Sequence, residues 1–583
     1  MTHGAAMDRT GIYGLFNLDG APLDPDDAAV LSLRPAPDDA GIAHAIDLAD
    51  PQAIWTDRAE PAATILLGQL DEPAAVAARL GLAAETPVAV LARAALHRFG
   101  SDVRRVLAGE WTLLHRERER VTLASSLALR DPLLYARKGA RLAVAPDLRL
   151  LSRLSWVDDT LDDAGLLFAL GRQHLRGAIG NRTVLAGVRA LGPGGFATFD
   201  AARSEVAPRA LPRAAARWRG GFADAMAEAE ALLARIVRDR MFGDRIGCMV
   251  SGGLDSATLA WLVARDRRPG ESVRCLTSAA APGSGLADET EAAGIVAEHL
   301  GLAMDRVVPD AAAAIYRPAA QWFREANAPY LGQRHYLYDA FAAHARAARI
   351  PLLFDGQYGE FTLSSPFPLA SIRERTRAAM QRWRGGAARS GPSPRDALHV
   401  FLAAHRSASL PDPVAAALAS PVPRMRMPAS GERWGLLPSF EKILKGPVSL
   451  GLGSVRLAQP YRDPRLLALF SGFPARMLHR PGFDRAPARH LLAGHLPDSI
   501  RLRGKGPAFS PDYGQRLIRQ APDARARIAL FRKAGADEWL DLDALDVALA
   551  RIAGDAARDG QEALTAQLTA MAGEFIAWWR GVS

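Results

Sequence analysis

The sequence predicts an α/β fold in two domains, on three observations. At 583 residues the chain exceeds what one ordinary core accommodates. Arg245 to Val250 carries the apolar run Ile246, Cys248, Met249 and Val250, and beyond a glycine pair Ala257 to Val263 is rich in Ala and Leu. That order reads as strand, tight turn, helix. A second short apolar run, Pro351 to Phe354, also leads into a glycine-punctuated loop, the place where an open α/β sheet presents residues to a ligand.

Composition narrows the class. With 49% hydrophobic and 23% charged residues, both domains can bury real cores. The two cysteines, Cys248 and Cys275, each sit in an apolar, strand-like run, which leaves neither a disulfide framework nor a cysteine metal site and points to a reducing cytoplasm. No apolar stretch is long enough to span a bilayer, and Met1 to Thr10 lacks the basic start and apolar middle of a signal peptide. The net charge of +9 comes mostly from scattered arginine, and a polyanionic nucleotide or an acidic peptide accounts for it without a nucleic-acid partner.

The stretch Ser251-Gly252-Gly253-Leu254-Asp255-Ser256 carries the most chemistry. Adjacent glycines let the backbone pass close to a bound group, and the N–H groups that open the next helix converge on one concavity suited to phosphate. Ser251 and Ser256 add hydroxyls, and Asp255 adds a carboxylate that repels phosphate unless Mg2+ lies between them. The string lacks the lysine of a Walker-type loop, so transfer of a terminal phosphate is not expected. It matches the pyrophosphate loop of the adenylating synthetases, the superfamily that includes asparagine synthetase, and the resemblance implies cleavage of ATP to AMP and pyrophosphate.

The first part of the chain resembles the glutamine amidotransferase domain fused to asparagine synthetase. The pieces that carry this are Gly11 to Gly20, Leu107 to Leu113, Val121 to Ala124, Arg130 to Tyr135 and Leu191 to Gly195. The resemblance implies an Ntn-hydrolase-like α+β sandwich of two sheets. The family's glutaminase needs a cysteine at the start of the mature chain, and Thr10 occupies that place, so residues 1–205 read as a degenerate glutaminase kept as scaffold. Ala201 to Ala216, rich in Ala, Arg and Pro, reads as a linker. Residues 206–583 then form an adenine-nucleotide α-hydrolase-like domain with a parallel sheet and helical additions. It opens on a helix that repeats Phe222, Met226, Ala229, Leu233 and Ile236 on one face.

In this second domain the resemblance implies nucleotide contacts from Val250, Ser251, Gly252, Gly253, Leu254, Asp255 and Ser256, from Ser278 beside the adenine, and from Asp355, Gly356 and Gln357. Asp288-Glu289 reads as acidic partners of a helix dipole, and the family's acidic pair also sits near the nucleotide. Asp255 and Glu360 are the implied magnesium ligands, Glu360 standing where relatives carry aspartate. Lys505, held in Arg503-Gly504-Lys505-Gly506, matches the family's essential lysine, whose charge stabilises the transition state. Gln357 departs from the glutamate of asparagine synthetases and the tyrosine of β-lactam synthetases, and an amide cannot accept a proton at neutral pH.

The loop Gly356 to Ser364 looks instead like that of the lasso peptide cyclases. This implies closure of a macrolactam between a core peptide's N-terminus and an Asp or Glu side chain. The implied partners are a precursor peptide, a leader protease and a precursor-recognition protein. A synthetase making asparagine or closing a β-lactam on a small molecule is the alternative. The arginines at 373, 375, 377, 382, 384 and 389 read first as a solvated helical face and otherwise as a landing surface for a peptide or partner. The tail reads as a helix docking on its own domain through Leu564, Leu568, Met571, Phe575 and Trp578.

Overall fold

The computed structural model describes residues 11–31, 42–45, 54–59, 62–128, 133–170, 180–208, 210, 216–329, 332–364, 400–419, 425–426, 433–434, 455–478, 484–504, 506, 509–555 and 560–582. Thr10, Arg130 to Pro132, the arginines from 373 to 389 and Lys505 lie outside the described residues.

The first part is a sandwich of two antiparallel sheets. Strand Gly11–Asn17 lies between Ile42–Ala45 and Arg141–Ala145 in a five-stranded sheet that continues through Leu133–Lys138 to Val188–Leu191. The six-stranded sheet runs in the order Ser204–Val206, Phe196–Phe199, Arg120–Ser125, Gly109–Glu117, Ala62–Leu70, Ile54–Ala59. Ile12, Phe16, Leu114, Leu123 and Val144 fill the space between the sheets. On the outer face of the larger sheet Leu66, Trp111 and Leu113 receive the helices Pro73–Leu80 and Val88–Phe99. Strand Gly11–Asn17 is buried on both faces, and its sequence is correspondingly apolar at odd and even positions instead of alternating with polar residues.

One boundary is corrected. Ser204–Val206 is not linker but an edge strand paired with Phe196–Phe199, and Ala210 N–H continues to the carbonyl of Gly194 at 2.9 Å. A cut at residue 205 would split that strand.

The second part is an open sheet of five parallel strands in the order Ala303–Val307, Ser272–Ser278, Arg245–Met249, Leu352–Asp355, Arg456–Ala458. The chain builds outward from Arg245–Met249 in one direction and then returns to add Leu352–Asp355 on its other side. The reversal of strand order therefore falls between these two strands, where an open sheet leaves a crevice at its carboxyl edge. Cys248 and Cys275 face each other in adjacent strands, both buried as free thiols. The fold class is thus the expected one, a sandwich followed by a parallel α/β sheet with helical additions.

Buried polar contacts tie the two parts together. Arg240, the last residue of helix Phe222–Arg240, places its guanidinium 2.8 Å from Asp463, 3.5 Å from Glu110 and 3.9 Å from Asp71. Arg465 bonds both Asp71 and Asp463. Burial pushes the Asp71 carboxyl up, whereas Asp463, although burial opposes it, is held below its usual range by Arg465 and Arg240. Elsewhere the Asn327 side chain accepts from Leu148 N–H at 2.9 Å and donates to the carbonyl of Pro146 at 2.8 Å.

The final helix, Gly560–Trp579, is buried on nearly all sides from Ala563 to Ala577. The single stripe expected for it is too narrow, because it enters a shared core that also holds Tyr13, Leu15 and Leu151. Gln567 lies in that core with its amide satisfied by Tyr513, Ile315 and Gln333. No described helix is long and apolar enough to cross a membrane.

The Arg240 cluster yields a test. Arg240→Met leaves Glu110 without its cation and Asp71 and Asp463 with Arg465 alone, and it is expected to destabilise the chain by about 3–5 kcal/mol, seen as a lowered thermal midpoint. A midpoint equal to that of the wild type would assign the cluster no stabilising role.

Candidate functional site

The site grows from the carboxyl ends of Arg245–Met249 and Leu352–Asp355. Gly252 turns the chain with a φ of 68°, and a Cβ placed there would lie 2.4 Å from the Cβ of Ala292, so conformation and space both require glycine. Gly253 then caps helix Leu254–Asp266 without a side-chain bond, which leaves the first-turn N–H groups without a side-chain acceptor at the loop mouth. The loop's own hydroxyls hold its shape. Ser256 Oγ accepts from Ser251 N–H at 3.2 Å and donates to the carbonyl of Gly253 at 3.1 Å, and Gly253 N–H donates to Ser251 Oγ at 3.4 Å. Val250 and Leu254 send their side chains into the core, so only their backbone is available to a ligand.

The second loop presses directly against the first. A Cβ on Gly356 would stand 2.8 Å from Ser256 N, and one on Gly359 would stand 2.1 Å from the Asp255 carboxyl. Between these glycines Tyr358 adopts a φ of 73°, a conformation costly for a bulky side chain and held by its surroundings. Asp255 Oδ2 accepts from Ser364 Oγ at 2.6 Å, and the Asp255 carbonyl accepts from Tyr461 OH at 3.0 Å. Asp255 Oδ1 is buried with no hydrogen-bond partner.

Asp355 closes the other side. Its Oδ2 accepts from Gln459 Nε2 at 2.8 Å and its Oδ1 from Gln357 N–H at 3.1 Å. The Gln357 amide donates to Tyr338 OH and accepts from Gln459 Nε2 at 3.3 Å, so both of its ends are engaged. Burial, with the nearby charge of Glu360 adding to it, raises Asp255 to about 7. The same two causes raise Asp355 to about 6 against the bonds from Gln459 and Gln357. Glu360 therefore brings its charge to bear on both Asp255 and Asp355.

A buried carboxylate oxygen with no donor, set among two more carboxyls, is the donor set that a hard divalent cation satisfies. The residues present fit magnesium. Ser278, the last residue of its strand, likewise buries its Oγ without a partner, an open hydrogen-bonding position at the same edge of the sheet.

The acidic pair Asp288-Glu289 has local duties. Asp288 receives Ala280 N–H at 2.8 Å and Thr290 N–H at 2.9 Å, holding the start of helix Thr290–His299. Glu289 pairs with Arg503, and a Cβ on Gly506 would lie 2.0 Å from its carboxylate. The residues flanking Lys505 are thus anchored on Glu289, one helical turn before the Ala292 that abuts Gly252.

Reading the sequence missed four residues of this site: Tyr338, Ser364, Gln459 and Tyr461. Ser364 closes the loop that already stood out, but no local spacing reveals that it, Gln459 and Tyr461 converge on Asp255 and Asp355. Tyr338 sits within helix His335–Ala347 and carries no motif at all.

The pH dependence follows from the raised carboxyls. At Asp255 and Asp355 the folded state binds more protons than the unfolded one between about pH 4 and 7, so their contribution to stability is full below the ordinary carboxyl value and is lost as pH rises through 6 and 7. In magnesium-free buffer the thermal midpoint of the wild type is expected to fall relative to that of Asp255→Asn as pH rises from about 5 to about 8. Superimposable profiles for the two proteins would refute the assignment.

Comparison with known proteins bears on this geometry. The asparagine synthase family model matches residues 228–437 and 441–580, more than half of the chain. No curated protein matches. Among solved structures, the glutamine phosphoribosylpyrophosphate amidotransferase of B. subtilis with ADP and GMP is 11% identical over 46% of this chain and 51% of that one, with a TM-score of 0.18. A structure described as the allosteric regulatory enzyme of purine biosynthesis is also 11% identical, over 46% and 64%, with a TM-score of 0.19. The chain spans between half and two thirds of those two chains, and similarity at that level supports no structural argument. The family match rests on the part that carries both glycine loops, and the chain belongs to the asparagine synthase family, a family of ATP-dependent, amide-forming ligases.

Proposed function

We propose that the chain adenylates a carboxylate with ATP and passes it to an amine, closing the macrolactam ring of a lasso-type peptide in the cytoplasm. The observation that supports adenylation is the meeting of the Ser251–Ser256 loop with Asp255, Asp355 and Glu360 at the point where strand order reverses. The loop's glycines and hydroxyls receive the ATP phosphates. Asp255 and Glu360 hold magnesium, which when bound offsets the charge of the departing pyrophosphate. The substrate carboxylate attacks the α-phosphorus, the bond to the bridging oxygen breaks, and an acyl-adenylate forms. The amine nitrogen then attacks the acyl carbon, the carbon–oxygen bond breaks, AMP leaves and the amine's surplus proton passes to water, with Lys505 facing the developing negative charge.

Support for a peptide amine comes from Gln357. Its amide is clamped between Tyr338 and Gln459 and offers no proton acceptor. A peptide's α-amino group, with an ordinary pKa of about 7.7–8.0, is partly unprotonated at neutral pH and depends less on a strong base than a side-chain amine does. Holding acid and amine on one substrate also supplies proximity. On this reading a short precursor peptide, a protease that frees its N-terminus and a protein that recognises the precursor are the partners, and the first part of the chain is scaffold.

ATP–pyrophosphate exchange separates the substrate classes. Exchange stimulated by a leader-cleaved peptide, with a product one water lighter, is the expected result. Stimulation by free aspartate alone would return the chain to asparagine formation. Asp255→Ala is expected to lower exchange at least about 100-fold, and full activity in that variant would remove Asp255 as metal ligand. Lys505→Met, tested with the same peptide, is expected to lower ring formation by about 100-fold or more, and an unchanged product yield would deny Lys505 its role.

A further inference from the structure

Away from the nucleotide loops, the outer face of the six-stranded sheet gathers three metal-binding side chains. His115 lies in strand Gly109–Glu117, opposite Thr64 on one neighbouring strand and Thr122 on the other. Residues 111, 113, 115 and 117 alternate onto the face that carries helix Val88–Phe99. Along that line Trp111 and Leu113 are core, His115 is 4% exposed and Glu117 reaches solvent. His97, in the last turn of the helix, stands over the end of the line, its ring 5.4 Å from that of His115 at an interplanar angle of 79°. One ligand atom from each of His97, His115 and Glu117 lies within 4.8 Å of the others.

Two features separate this group from an incidental surface cluster. First, His115 Nε2 is buried without a hydrogen-bond partner, a state that is unfavourable unless something occupies the position. Second, His115 Nδ1 lies 2.9 Å from the hydroxyl of the fully buried Thr64. With Nδ1–H donating to that hydroxyl, the Nε2 lone pair is turned to the cluster, the arrangement in which a metal-bound histidine is fixed by an oxygen behind it. The nearby cation Arg93 is paired with Asp57 at 2.8 Å.

We propose that His97, His115 and Glu117 bind one divalent transition-metal ion of the zinc class, which pins helix Val88–Phe99 to the sheet. Two imidazoles and one carboxylate are a borderline-soft donor set that selects such an ion over magnesium. Zinc bonds of about 2.0–2.2 Å bring ligand atoms to roughly 3.4 Å apart, an inward movement within reach of the two exposed side chains. The fourth position is left to water.

The test uses the untagged full chain, stripped with a chelator, re-equilibrated with zinc(II) in excess magnesium and desalted. One zinc per chain by elemental analysis is expected, with cobalt(II) giving the visible absorption of a low-coordinate nitrogen and oxygen site. His97→Ala and Glu117→Ala alter only exposed side chains, and each is expected to weaken zinc binding at least about tenfold with an unchanged circular dichroism spectrum. No zinc retained by the wild type, or equal affinity in wild type and both variants, would overturn the proposal. Because the readout is metal content, the outcome is independent of whether the chain activates a peptide.

Discussion

The contact between Asp255 and Gly359 governs the geometry of the second part of the chain. A carboxyl group is lodged where a single added carbon would fall 2.1 Å away, so the two loops can approach only with glycine at 359. Once they meet, the Asp255 carbonyl accepts from Tyr461, its carboxylate accepts from Ser364, and Asp355 and Gln357 are drawn onto Gln459. Strands from distant parts of the sequence are thereby locked around one crevice. The same closeness excludes water from the carboxyls and makes their charge expensive, which is the condition under which a divalent cation binds best.

Much of this was legible in the sequence because it is local. Strand, glycine turn and helix around residues 245–266 follow from apolar runs and two adjacent glycines, and the parallel sheet follows from their repetition at 351–360. What was not legible is convergence. Tyr338 and Gln459 are polar residues on a helix and a strand end, and nothing near them in sequence says that they share the Gln357 amide. The edge strand Ser204–Val206 was hidden for another reason. It is short and exposed, so packing placed no apolar pattern on it, and its composition resembled a linker. The last helix misled in the opposite sense, since burial on nearly every side erases the stripe that a surface helix shows.

The first part is joined to the second by buried polar contacts. Its structural duty is visible in the contacts. Asp71 and Glu110 complete the shell of Arg240, Pro146 and Leu148 hold Asn327, and Asp163 bonds Trp539 at 2.9 Å. Without the sandwich, Arg240, Asn327 and Trp539 of the second part would each lose these partners.

The helix Gly560–Trp579 carries a consequence for how the chain is made. It completes a core begun by Tyr13 and Leu15, and the backbone carbonyl of Trp578 receives Arg149. During synthesis several hundred residues must emerge from the ribosome before that core can close. Until then its apolar face stands open, a surface through which unfinished chains can associate.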